Sequence, residues 1–127
     1  MIIDKILDYL EDQGVGNIFI GELPVDETDC ASMLASISPD PNKSIPYYTQ
    51  VVDVWARYSK YDEGYKKLQD IMDVLHRAEN YDIDGYHIYL SYAIGMITDL
   101  DRDAQRRHLF KVSFGFVYRL GESFDLS

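Results

Sequence analysis

Cysteine is almost absent from this chain. Cys30 is the one thiol in 127 residues, so an internal disulfide is impossible and the sequence reads as one made in a reducing compartment. Basic residues are scarce too. Twelve Lys and Arg stand against 22 Asp and Glu, a formal net charge of −10. Binding nucleic acid by phosphate neutralisation needs clustered Lys and Arg, and an anionic membrane surface attracts the same residues. The balance therefore disfavours both. Long hydrophobic runs are missing: none approaches the roughly 20 residues of a membrane-spanning helix. The start, MIIDKILDYLED, is acidic and helical. It lacks the basic opening and small-residue cleavage site of a signal peptide. The expectation is a soluble protein.

Catalytic patterns are lacking as well. There is no G-x-S-x-G, and Cys30 has no recognisable motif around it. GVGNIFIG follows a helical segment rather than a strand and contains no G-x-G-x-x-G, so it is no phosphate cradle. His76, His87 and His108 do not pair at ligand spacing, and zinc sites want Cys or His in tight pairs. His87 and His108, both on strand-like segments, could still face each other across a hairpin. DLDRD has the spaced aspartates that open a calcium loop. It lacks that loop's sixth-position glycine, and Phe110 stands where the closing glutamate belongs. A solvated turn fits it better. The expectation is no enzyme, no cofactor and no metal.

What the chain does contain is alternation, and tyrosine. At this length one domain, residues 1–127, buries roughly two thirds of the surface its unfolded chain exposes. Eleven tyrosines suit strands, and tyrosine is also enriched at protein interfaces. Ile2, Ile3, Ile6, Leu7 and Leu10 recur at helical spacing up to Gly14. Asn17-Ile18-Phe19-Ile20 reads as a short strand, and residues 30–37 as a possible one. SPDPNKSIP is a proline-rich loop. In the strand that follows, Tyr48, Val52, Val54, Ala56 and Tyr58 share one face. Thr49, Val51, Asp53, Trp55 and Arg57 share the other. Ser59, three residues before Asp62, offers a weak capping box. Tyr61, Tyr65, Leu68, Met72 and Leu75 then make a helical stripe, widened by Ile71, Val74 and Ala78. Glu63 with Lys67, and Asp73 with Arg77, stand at i,i+4 spacing.

Residues 80–85 read as a turn-rich break. Tyr86, Ile88, Leu90, Tyr92, Ile94 and Met96 form one face of a long strand. DLDRDAQRR follows as a charged connection. His108, Phe110, Val112, Phe114, Phe116 and Tyr118 form one face of the last strand, which pairs with its predecessor as a hairpin. Residues 121–127 read as a frayed tail. One apolar stripe per helix and one apolar face per strand predict an α+β, two-layer sandwich. Its sheet is expected to be mostly antiparallel, with four or so strands and two helices packed on it. On that strand's mixed face Trp55, beside Val51 and flanked by Asp53 and Arg57, reads as an interface anchor with a polar rim. The alternative is that the N-terminal helix covers it.

Four strings carry a family resemblance in chain order: NIFIGELP; VVDVWARYSKYDEGYKKLQDIMDVLH; GYHIYLSY; and DLDRDAQRRHLFKVSFGFVYR. Together they resemble the tail terminators, or minor capsid proteins, of long-tailed bacteriophages. The resemblance implies a virion subunit, made in the host cytoplasm, that forms a homohexameric ring at the head–tail junction. Such a ring caps the tail tube, ends its polymerisation and meets the head connector. The implied partners are further copies of the chain, the tail tube protein and the connector proteins. Genomic DNA would pass through without specific binding, past acidic walls that repel its phosphates. Another head-to-tail connector, a tail-completion subunit or a small ligand-binding domain remain alternatives. For the subunit contacts the expectation is Trp55 and Arg57 on the strand, and Asp99, Asp101, Arg102, Asp103, Arg106 and Arg107 in the charged hairpin. Arginine's planar fork suits it to gripping carboxylates across such a contact.

Overall fold

The computed structural model describes residues 2–21, 23, 29–37, 48–83, 85–102 and 106–120. The expected proline loop, residues 38–46, lies outside these, as do Asp103 and the expected tail. Eight elements follow one another: α1 (Ile2–Asp12), β1 (Ile18–Ile20), β2 (Cys30–Ile37), β3 (Tyr48–Tyr58), α2 (Tyr61–Leu75), β4 (Ala78–Ile83), β5 (Tyr86–Arg102) and β6 (His108–Leu120). The strands form one sheet in the order β1-β2-β3-β6-β5-β4. The α+β class is as expected, but the sheet has six strands and is mixed, because β1 runs parallel to β2.

The centre is the β3–β6 pair, matched without a break from Tyr48 opposite Tyr118 to Tyr58 opposite His108. Its regular alternation puts Val52, Val54, Ala56, Phe110, Val112, Phe114 and Phe116 on one face, all buried. Both helices pack there. Ile2, Ile3, Ile6 and Leu10 of α1 join Leu68, Ile71 and Leu75 of α2 in the same core. Each large side chain fully buried this way contributes about 1.5–3 kcal/mol. The helix α1 touches β1 and β2 near one edge and β4 at the other, so the sheet curls around it. Tyr9 stacks on Tyr81 of β4 with ring centres 5.0 Å apart. The Tyr81 hydroxyl lies 2.7 Å from Ser91 Oγ, which donates to the Leu75 carbonyl at the end of α2. Burial pushes the Tyr81 phenol up to about 12.

Several local expectations need correction. Residues 80–83 are not a turn but most of edge strand β4, whose polar, exposed outer face hides the alternation. Ser59 does not cap α2. Its backbone N–H and hydroxyl both donate to Asp29 Oδ1, at 2.8 and 3.1 Å. The N-cap is Lys60, without a side-chain capping bond. Lys67 turns from Glu63 to the Gly16 carbonyl, tying α2 to the turn before β1, and its burial lowers its pKa. Arg77 stands beyond the helix at φ +58°, whereas Lys66 pairs with Asp70 at 3.0 Å. Ala78 belongs to β4 rather than to the helical stripe. His87 and His108 do not meet. They lie opposite Arg119 and Arg102, at the two ends of the hairpin.

The largest correction concerns β5. Ile88 faces the core opposite Tyr118, but Leu90 pairs with Val117, so Tyr89 is an extra residue in the strand. A bulge of one residue exchanges the two faces of everything after it. Ser91 is therefore fully buried, Ala93 and Ile97 pack against the core, and Ile94 and Met96 are exposed.

One close approach fixes α2 over the sheet. A Cβ on Gly64 would meet the buried Phe110 ring at 2.8 Å and Tyr58 Cβ at 3.1 Å. Gly64→Ala gains about 1 kcal/mol in helix propensity but overpacks at a cost of about 1–3 kcal/mol. A net loss of stability in urea unfolding is expected. The loss should shrink in a Phe110→Leu background, because neighbouring substitutions couple. A rise in melting temperature with Gly64→Ala alone contradicts this packing.

Candidate functional site

With both helices on the concave side, the convex face of the sheet carries the remaining side chains of each strand. Register sets them in rows. Ser32, Trp55, Lys111 and Thr98 form one row across β2, β3, β6 and β5, and Leu34, Asp53, Ser113 and Ile94 form the next. The expectation that α1 might cover Trp55 is settled by this geometry, since α1 packs on the Val52 side. Lys111 Nζ lies 5.0 Å from the centre of the Trp55 ring, a cation–π contact of about 0.5–1 kcal/mol at such an exposed place. Asp53 holds the arrangement beneath. Its carboxylate accepts a hydrogen bond from Ser113 Oγ at 2.6 Å and lies 3.8 Å from Lys111 Nζ. Beside Trp55 runs a groove of about 240 Å3 lined by Gly21, Leu23, Ser32, Leu34 and Trp55. Leu34 is 46% exposed at its mouth.

The expected contact residues divide into two groups. Trp55 is half-buried on the convex face. Arg57, expected as a solvent-facing rim charge, is buried, and its guanidinium lies 3.8 Å from Cys30 Sγ. The alternation placed it on the right face but said nothing of what surrounds it. The charged connection begins later than expected, because β5 runs on to Arg102. Asp99 lies opposite Phe110 and Arg102 opposite His108, with bulges before and between them. Asp99 Oδ1 accepts the Asp101 N–H at 2.8 Å. Asp99, Asp101, Arg102 and Arg106 are exposed, and Arg107 is partly buried. Trp55 and the start of this segment thus belong to the same half of the sheet, with β6 between them. The sequence reading missed Lys111 and Leu34. Their signal was register, which places Lys111 opposite Trp55 and Leu34 opposite Asp53.

Among the described residues, one further depression stands outside the convex face. This wide depression on the outer side of α2 is lined by Tyr61, Asp62, Tyr65, Lys66, Gln69, Asp70 and Asp73. It is open to solvent and mixes both charge signs on one helix face. Among the described residues no group of three His, Cys, Asp or Glu is placed to hold a metal ion, and no helix is long and apolar enough to cross a membrane.

Comparison with known proteins decides the family. The model of the bacteriophage tail terminator protein family matches residues 9–120. The chain belongs to that family. This phage tail terminator is accordingly a structural component of the virion tail, and its expected dealings are with other phage proteins. No curated protein sequence matches it. Among solved structures, one chain superposes with a TM-score of 0.55 at 11% identity, over 94% of this chain and 91% of that one. At that identity the likeness shows the fold alone.

The Asp53 cluster gives a direct check on the convex face of the terminator. Asp53→Ala removes the acceptor for Ser113 and should cost about 1–3 kcal/mol. It should also shift the fluorescence of Trp55, the one tryptophan, by freeing Lys111. Asp53→Asn keeps a carbonyl for Ser113 and should lose less stability. Equal, negligible effects from both substitutions contradict the arrangement.

Proposed function

We propose that this tail terminator subunit assembles into a closed ring, six-fold in the reading its family resemblance supports. The ring seats on the end of the tail tube, stops tube polymerisation and joins the tube to the head connector. The observation that carries the reading is the one-sided packing of the sheet. Both helices are spent on the concave core, while the convex face keeps Trp55, a groove and an exposed strand end. A large aromatic beside an apolar groove with charges around it matches the anatomy of a protein interface. Cyclic rings repeat one heterologous contact, so a single chain with two different patches is sufficient.

In this reading Trp55 sits within the subunit contact, and Asp99, Asp101, Arg102, Arg106 and Arg107 border it or meet neighbouring proteins. The net charge of −10 on each copy keeps the ring from holding DNA, which passes through its centre.

Particles assembled without this protein test the proposal. Electron micrographs should show tail tubes of irregular, often excessive length that do not join heads. Adding the purified chain to tubes of correct length should restore joining. Tails of uniform length attached to heads in its absence contradict the proposal.

A further inference from the structure

The distal half of β5 has an unusual construction. The edge strand β4 stops covering it at Ser91. The next outward amide, that of Ala93, donates to His76 Nδ1 at 2.9 Å. Beyond that point no described strand lies alongside. Between the pairs Ile94–Ser113 and Thr98–Lys111, β5 spends four residues where β6 spends two. Gly95 takes up the strain at φ +79°, a conformation that costs glycine little. The bulge turns Ile97 inward to pack against the core and leaves Met96 80% exposed, the most exposed large hydrophobic side chain described. Bulges can re-aim single side chains, and Met96 is one of three exposed apolar residues, with Ile94 and Leu100, along this half-strand, more than the single exposed residue that is normal on a surface.

The groove beside Trp55 is the matching concavity. Its lining is mainly apolar and no described residue fills it. Met96 cannot reach the groove of its own chain. Met96 stands on β5, whereas the groove is lined from β2, β3 and the segment after β1, so one continuous sheet holds the two apart with β6 between them, at least roughly 10 Å at ordinary strand spacing. A contact between the two therefore joins two molecules, and repeated in one direction from copy to copy, as the proposed ring requires, it is of the heterologous kind.

We propose that Met96 of one copy inserts into the groove beside Trp55 of the next copy, forming the repeated contact of the ring. The inference rests on the ring reading above and names its interface. Methionine suits the role, because its flexible thioether fills irregular gaps and packs well against aromatic rings. The charges agree in sign. Asp99 and Asp101 follow Met96 along the strand, and Lys111, which also faces Asp53 of its own chain, stands over the Trp55 ring that lines the groove, so charges of opposite sign border knob and groove. An acidic chain that must meet its own copy also needs an uncharged centre to the contact, and a Met–Trp–Leu centre supplies one.

The test uses two full-length variants, Met96→Glu and Leu34→Glu. Both positions are exposed, so circular dichroism should show each variant folded. Wild-type chain added to tail tubes should form closed rings, and each variant alone should remain monomeric. An equimolar mixture should form dimers and stop there, because it holds one intact knob and one intact groove. A mixture that stays monomeric, or a variant that closes rings by itself, overturns the contact. Wild-type chain that stays monomeric on tubes overturns the ring reading and this contact together. Rings that form in the wild type and persist in both variants overturn the contact alone. A chain carrying Leu34→Cys and Met96→Cys gives an independent readout, since Cys30 is buried. Mild oxidation should link copies into a covalent ladder ending at the ring. Absence of links between copies contradicts the contact.

Discussion

The pairing of β3 with β6 is the constraint on which the rest of this molecule depends. Eleven residues of β3 meet β6 without a register shift, although β2 and β5 on either side are both bulged. An unbroken register keeps a period of two intact. The Phe110, Phe114 and Phe116 rings therefore fall on one face, and Trp55, Lys111, Asp53 and Ser113 on the other. A one-residue slip between the two strands would exchange these sets and bury the charges. Both helices follow from this division, since the aromatic face is the one place where their apolar stripes can be buried. The close seat of Gly64 on Phe110 shows how little room the arrangement leaves.

The proposed function follows from the same division. A sheet covered on both faces would make a self-sufficient domain with nothing to offer a partner. Here the curl around α1 buries the concave side and turns the convex side outward. The bulges in β5 act on this exposed side. Left regular, the distal half of β5 would be a long, flat edge with apolar residues, open to indiscriminate pairing. Bulged, it presents single side chains at set positions instead. The proposed capping role needs that discrimination, because a subunit that stopped polymerisation could not itself polymerise through a free strand edge.

Much of this was legible in the sequence, and the reasons for the misses are physical. Residues of β3 and β6 alternate strictly because each strand has one buried and one less buried face, so their faces were read correctly. The stripes of α1 and α2 were legible for the same reason. The strand β4 was not, because AENYDI lies at an edge and buries little beyond Ile83. The faces of β5 were misread after Ile88, since a bulge leaves no mark when Tyr89, Leu90 and Tyr92 all suit a strand. Trp55 stood out because its neighbours on that face are charged. The groove did not, because it is assembled from residues on three separate segments, and no local pattern links Gly21 and Leu23 with Ser32, Leu34 and Trp55.

The central claim is that assembly takes place on the convex face and the distal half of β5, not on the helices. Oxidative footprinting of the free chain and of intact tails tests it most directly. The account predicts that Trp55 and Met96 react in the free chain and become protected in the tail. Tyr61, on the outer side of α2 and 48% exposed, should react alike in both. Protection of Tyr61 with Trp55 and Met96 unchanged would place the contact on the helical side and contradict the account.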